Sequence, residues 1–171
     1  MNFRSDNTAT AAAEILAALT AVNEGPASPY GDDPWSRKLD EAFSAVFERD
    51  VRVFTVASGT AANAIALASV TPPWGAIFCH REAHIECDEA GAPEFYSGGA
   101  KLVLIDGAAA KVTPEALRQA LARKAWDIHA VQPAAASISQ ATERGAVYRP
   151  EEVAALGEIA HGAGLALHWR P

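Results

Sequence analysis

Short apolar stretches alternate with helix-forming segments along most of this 171-residue chain. Helices are predicted over residues 59–70, 113–124 and 150–161. Strands that are apolar along their whole length and separated by helices are typical of a parallel sheet covered on both faces. The sequence therefore predicts an α/β fold, mainly a parallel sheet with helices on both faces. Its strands are predicted at 51–57, 75–80, 100–106, 128–133 and 165–169.

Two amphipathic segments precede this alternation. Residues 11–23 place Ile15, Leu16 and Leu19 on one helical face, and a second helix begins at Pro34. Both apolar faces are expected to pack in the core. Because the chain is long enough for one substantial core and too short for two, a single domain is predicted over residues 1–171.

The charge balance restricts the classes of partner. The chain carries a formal net charge of −7 without a block of like charges, so no attraction to nucleic acid or to an anionic membrane is expected. No apolar run approaches the roughly 20 residues of a membrane span. The two cysteines cannot form a disulfide-dense scaffold, and the N-terminus MNFRSDNT lacks the apolar core of a signal peptide. These features predict a cytoplasmic protein with a small-molecule or protein partner.

The segment FTVASGTAAN (54–63) predicts a strand, a tight corner and a helix in immediate succession. At such a corner Ser58, Gly59 and Thr60 would present backbone N–H groups, two hydroxyls and the positive end of the helix. This arrangement suits a phosphate group. The same three residues are also compatible with a simple helix cap, so the segment alone leaves both possibilities open.

Several short motifs occur in a fixed order and together resemble the threonine aldolase family of pyridoxal phosphate enzymes. The resemblance implies the large domain of an aspartate-aminotransferase-like fold, an oligomeric enzyme with shared sites, and cleavage of L-threonine or L-allo-threonine to glycine and acetaldehyde. The motifs are RSDNT (4–8), YGDDP (30–34), SGTAAN (58–63), Ala83-His84 with Glu89-Ala90-Gly91, SQATE (139–143) and GLALH (164–168).

The resemblance also assigns roles to individual residues. Ser58, Gly59 and Thr60 would hold the cofactor phosphate. His84 would stack on the pyridine ring and help to move a proton, and Glu89 would assist it or contact the substrate hydroxyl. The segment 1–35 would form an N-terminal helix and an active-site arm, in which Ser5 binds the substrate carboxylate while Tyr30 and Asp32 shape the site.

The last part of the chain departs from the family pattern. In the family, the strand that contains Gly-Leu-x-Leu-His continues with an apolar residue and Asp-Gly-Ala-Arg, and the lysine that attaches the cofactor lies further on. Here the strand reads LALHWRP, and residues 169–171 are what a shifted reading frame over Asp-Gly-Ala-Arg codons would encode. The chain is therefore expected to be the truncated N-terminal part of an aldolase, without the cofactor lysine and inactive alone.

Two alternatives belong to other classes. Cys79, His80, His84 and Cys87 are residue types that zinc prefers, although the usual paired spacing is missing. The other alternative is a non-catalytic folded fragment or interaction module. Under the aldolase hypothesis no metal is expected.

Overall fold

The computed structural model describes residues 8–123 and 126–170. The chain divides into two compact units, one up to Thr55 and one from Val56 onward. Each unit is described separately, and the single domain over 1–171 stays a prediction. Within the described residues, no helix is both long enough and apolar enough to cross a lipid bilayer.

The second unit is built on a parallel sheet, as predicted. Strands β1 (Gly75–His80), β2 (Lys101–Ile105), β3 (Gln132–Ser139) and β4 (Ala166–Arg170) lie in the order β2-β1-β3-β4, and every neighbouring pair is parallel. The helices are α3 (Gly59–Val70), α4 (His84–Cys87), α5 (Ala92–Tyr96), α6 (Pro114–Ala122) and α7 (Pro150–Gly162).

Both faces of the sheet are covered. Along β1 successive side chains point to opposite faces, so Phe78 joins one buried cluster and Ile77 joins the other. The Phe78 cluster contains Leu117 of α6 and Leu156 of α7, whereas the Ile77 cluster contains Leu67 of α3. This two-sided core confirms the predicted α/β class and accounts for the apolar composition of β1, which is buried at every position.

Two predicted strands are wrong in part or altogether. Residues 51–57 form no strand, because they pair with none of the four strands and β structure requires a hydrogen-bonded neighbour. The strand expected at 128–133 begins only at Gln132 and continues to Ser139, and Ile128 is 93% exposed. Ala-rich residues 134–136 have weak intrinsic strand preference, and burial between β1 and β4 decides their conformation.

The first unit contains helices α1 (Ala13–Val22) and α2 (Leu39–Phe47), close to the predicted positions. Their apolar faces were expected in the core, and this expectation is wrong: Leu19 is 58% exposed, Phe43 43%, and none of residues 8–55 is buried. An amphipathic pattern marks a face for contact but does not supply the surface that covers it.

Candidate active site

Polar side chains collect where strands of the second unit end and helices begin. His84 lies four residues beyond the end of β1, and Ser139 is the last residue of β3. In parallel α/β sheets, ligands bind beyond the carboxyl ends of the strands. The carboxyl edge of this sheet is therefore the candidate ligand-binding region.

The turn Ser58-Gly59-Thr60 forms the start of α3. Ser58 is the N-cap, and its Oγ accepts a hydrogen bond from the backbone N–H of Ala61 at 3.2 Å. The N–H groups of Gly59 and Thr60 belong to the first turn, where a helix offers no internal acceptor. A Cβ placed on Gly59 would meet no atom of the described residues within 4 Å, so this backbone is open on that side within the described part of the chain. Ser58 is thus a cap, and the same turn has the donors and the room that a phosphate group requires.

His84 is bound by a buried carboxylate. Its Nδ1 lies 2.8 Å from Oε1 of Glu89, and Nδ2 of Asn63 donates to the same oxygen at 2.5 Å. The Glu89 side chain is fully buried, whereas 30% of the His84 side chain is exposed. Because Asn63 belongs to the helix that begins at Gly59, these contacts connect the candidate phosphate turn to the histidine.

The contacts also fix the protonation of the ring. An ionised carboxylate only accepts hydrogen bonds. Nδ1 of His84 is therefore the protonated ring nitrogen, and its N–H donates a hydrogen bond to Glu89. Nε2 is then the ring atom with a free lone pair. The second carboxylate oxygen, Oε2 of Glu89, is buried and has no hydrogen-bond partner among the described residues.

The loop after β3 holds the backbone of the same histidine. Oε1 of Glu143 accepts the His84 N–H at 2.8 Å and the Ser139 hydroxyl at 3.2 Å. Next to it, Nε of Arg144 donates to Oε2 of Glu82 at 3.0 Å. The segment after β1 is therefore tied to the loop after β3 at two adjacent positions.

A second histidine lies in the sheet nearby. Nδ1 of His168 on β4 is 2.9 Å from the hydroxyl of Ser137 on β3. Burial lowers the pKa of His168 below its ordinary value, while the charge of Glu89 acts in the opposite direction. His168 is therefore a predominantly neutral group at neutral pH.

Two of the remaining predicted site residues belong to the first unit, which is described separately. Tyr30 and Asp32 belong to the first unit, where Tyr30 is fully exposed with a positive φ of 63° and Asp32 accepts a hydrogen bond from Nε of Arg37 at 3.2 Å. Ser5 lies outside the described residues. Asn63, Glu143 and His168 had no predicted role, although each belongs to a motif that the sequence displays.

The residues of the zinc alternative have other partners. Burial raises the pKa of the Cys79 thiol to about 12. Nε2 of His80 lies 3.0 Å from the Gly107 carbonyl, its Nδ1 accepts the Glu82 N–H, and Sγ of Cys87 donates to the Arg81 carbonyl. In the part of the chain that the structure describes, no three His, Cys, Asp or Glu side chains are arranged to hold a metal ion.

The lysines have ordinary surroundings. Lys101 is exposed at the start of β2, Lys38 lies in the 3-10 turn Ser36–Lys38, and Lys124 is outside the described residues. The ammonium group of Lys111 contacts both carboxylate oxygens of Glu152, at 2.8 and 3.0 Å.

The fold is that of the pyridoxal-phosphate-dependent transferases. Among solved structures it matches a methionine aminotransferase from Escherichia coli (TM-score 0.63, 14% identity, 91% of this chain and 40% of that one). At this identity the likeness shows the fold alone. A match with TM-score 0.90 and 27% identity is to a threonine aldolase from Leishmania major, over 96% of this chain and 48% of that one.

The chain belongs to the Beta-eliminating lyase family, whose model matches residues 2–169. It is 42% identical over 166 residues to low-specificity L-threonine aldolases from Pseudomonas aeruginosa and from another Pseudomonas strain. These alignments cover 97% of this chain and 48% of each relative, so the chain spans about half the length of the curated relatives that it matches. The family depends on pyridoxal phosphate. The resemblance predicted from the motifs is therefore confirmed.

Proposed function

We propose that this chain carries part of the active site of a threonine-aldolase-type lyase, which cleaves L-threonine or L-allo-threonine to glycine and acetaldehyde. The observation that carries the proposal is the contact of Asn63 and His84 with one oxygen of Glu89, which joins the phosphate turn of α3 to a base. The names of the relatives from Pseudomonas and Leishmania agree with this class of reaction.

The residues at the start of α3 fit the phosphate group of the cofactor. The N–H groups of Gly59 and Thr60 face open space at the positive end of a helix, and the Ser58 and Thr60 hydroxyls add two possible donors. The His84 ring would lie against the cofactor ring, as the family resemblance implies. When bound, pyridoxal phosphate withdraws the electrons that remain on Cα as the Cα–Cβ bond breaks.

His84 is suited to take the proton of the substrate hydroxyl. Because Nδ1 is engaged by Glu89, the free atom is Nε2. As Nε2 accepts the hydroxyl proton, the hydroxyl oxygen becomes the carbonyl oxygen of acetaldehyde and the bond to Cα breaks. Glu89, fully buried, would act on His84 rather than on the substrate. Ser5 would bind the substrate carboxylate, with Tyr30 and Asp32 shaping the site.

The 171 residues alone are proposed to lack turnover. A pyridoxal phosphate lyase needs a lysine for covalent attachment and a carboxylate near the pyridine nitrogen. Lys111 is engaged by Glu152, and Lys101 is at the amino end of its strand. At the end of β4, where the family pattern places an aspartate, this chain has Arg170.

Further expectations concern assembly and compartment. A homo-oligomer is proposed, in agreement with the exposure of Ile15, Leu16 and Leu19 on one face of α1. A cytoplasmic location and a small amino-acid substrate complete the proposal, with neither nucleic acid nor membrane as a partner.

Phosphate binding at the α3 turn tests the proposal. Titration of the full chain with inorganic phosphate and with pyridoxal phosphate should shift the backbone NMR signals of Gly59 and Thr60, with an affinity near the millimolar range, or about −4 kcal/mol. Gly59→Val should abolish this binding because its side chain fills the space next to Gly59, which the described residues leave open. Thr60→Ala should weaken it by about 0.5–1.5 kcal/mol, the net value of one hydrogen bond.

The location of the response decides the outcome. Gly162→Val, at the exposed end of α7, is a control that should leave binding intact, because a Cβ added there also meets no atom of the described residues within 4 Å. If phosphate shifts signals in a folded chain but not those of residues 58–61, the α3 turn is only a helix cap and the proposed site is wrong.

A further inference from the structure

We infer that Asn63 is a positioning residue for His84: through the buried Glu89 carboxylate, it selects which ring nitrogen of the histidine is free to accept a proton. The inference rests on the proposed function for its chemical meaning. The position of Asn63 in the sequence does not reveal this role. Within α3 it is a buried polar residue, and only its contact with Glu89 connects it to the histidine.

The first step is the shared acceptor. Asn63 and His84 come from different helices, α3 and α4, and both donate to Oε1 of Glu89, at 2.5 and 2.8 Å. Oε2 has no donor. A carboxylate with two donors on one oxygen and none on the other is held by those donors. Without the Asn63 amide, either oxygen could turn toward His84 or away from it.

The second step is burial. Asn63 is 3% exposed and the Glu89 side chain is fully buried, so water does not replace a lost hydrogen bond at low cost. Low local polarity also strengthens the bonds that remain. The Asn63 amide is therefore the donor that holds this oxygen of Glu89 in place beside His84.

The third step is the effect on the histidine. The hydrogen bond at one ring nitrogen determines the protonation of the other. With Glu89 fixed, Nδ1 keeps its proton and Nε2 is the basic atom of a ring whose side chain is 30% exposed. Two carboxylates contact His84: Glu89 at Nδ1 of the ring and Glu143 at the backbone N–H. Glu89 also acts on the charge of a second histidine, His168 on β4.

Ring-nitrogen NMR of isotopically labelled histidine in the full chain measures the tautomer directly. At alkaline pH, where the ring is neutral, wild-type His84 should be entirely Nδ1–H. Asn63→Leu, which keeps the side-chain size but removes the donor, should convert His84 to a mixture of both tautomers. Thr71→Val is the matched control, since Thr71 is a buried polar residue next to α3 whose hydroxyl has no partner, and it should leave His84 unchanged.

Variants of the carboxylate provide a rescue test. Glu89→Gln retains an acceptor oxygen and should preserve the Nδ1–H form, whereas Glu89→Met should lose it. If Asn63→Leu does not fold, Asn63→Ser replaces it, because the serine side chain is too short to reach Glu89. It too should convert His84 to a mixture of both tautomers.

Two results overturn the inference. One is a wild-type chain in which neutral His84 carries its proton on Nε2, a result that the wild-type spectrum alone would give. The other is a folded Asn63 variant in which His84 stays entirely Nδ1–H. Phosphate titration of the same samples keeps the two proposals separate, because shifts at Gly59 and Thr60 test the function and the His84 tautomer tests the inference. A fixed tautomer without phosphate binding contradicts the proposed function only.

Discussion

The two units of this chain use similar residues and bury them very differently. In the unit from Val56 onward, Phe78 and Leu156 are at most 1% exposed. In the unit up to Thr55, Ile15 and Leu19 are more than half exposed, although their spacing along α1 is that of a helical apolar face. The difference shows that apolar periodicity identifies a contact face, while burial depends on whether neighbouring elements are available on that side.

The two units also differ in side-chain capping of their helices: two helices of the second unit have a cap, and neither α1 nor α2 has one. In the second unit, Ser58 caps α3 and Thr113 caps α6 through their hydroxyls, whereas α4, α5 and α7 begin without such a bond. In the first unit, α1 begins after Ala12, which offers no side-chain acceptor. The second unit is thus specified by local signals as well as by its core.

Removal of a large side chain from each unit should give the largest contrast. Phe78→Ala should lower the free energy of unfolding by about 3–5 kcal/mol, because it opens a cavity between the sheet and the helices that cover it. Leu19→Ala should change it by no more than about 0.5 kcal/mol, because the side chain is 58% exposed. Urea unfolding of both variants and the wild type provides the values. Equal losses would show that α1 is covered in solution and would break the comparison.

Acid should act on the second unit through Glu152. The Arg149 N–H and then the Lys111 ammonium group lower the pKa of Glu152 from its ordinary 4.5 to about 2. Because this pKa is lowered by folding, its stabilising effect is complete above about pH 4.5 and is lost as the pH falls toward 2. Glu152→Gln should therefore flatten the dependence of the urea midpoint on pH between those values.

Glu151→Gln is the control for this experiment, since Glu151 is an exposed neighbour on the same helix. It should leave the slope intact. A Glu152→Gln variant with the wild-type pH dependence would mean that the Lys111–Glu152 contact does not persist in solution.

The smallest effect concerns the start of α1. Ala12→Asp introduces a side-chain acceptor at the N-cap and should stabilise α1 locally by about 0.5–1 kcal/mol. Slower amide hydrogen exchange in residues 13–22, with unchanged exchange in α6, would be the expected result. Ala9→Asp, placed before the cap, should have no such effect, and equal slowing by both changes would exclude a capping mechanism.

Much of the fold could be predicted from residue patterns. The apolar runs at 75–80 and 100–106 became β1 and β2, and Thr113-Pro114 began α6 as expected. Residues 51–57 show the limit of this approach, because their strand-like composition has no pairing partner among the four strands. Conversely, residues 134–139 lay beyond the strand predicted at 128–133 and form most of the central strand β3, where tertiary burial outweighs local preference.

The candidate site could be predicted only in part. Ser58, Gly59, Thr60 and His84 were predicted as site residues from corner chemistry and family resemblance, and their roles stay predictions. Glu143 and Asn63 were not, because their contacts join residues far apart in sequence: Glu143 to His84, and Asn63 to Glu89. Spacing along the chain carries no information about such pairings until the sheet order is known.

The order β2-β1-β3-β4 has a consequence for the time course of folding. On β1, Phe78 is opposite Val103 on one side and Ala136 on the other, so its second partner is made much later during synthesis. A chain emerging from the ribosome can pair β1 with β2 early, but it must keep the other edge of β1 unpaired until Gln132 and the residues after it have appeared. Closing that longer loop costs more entropy, and the β1–β3 pairing is therefore the step expected to govern the folding rate.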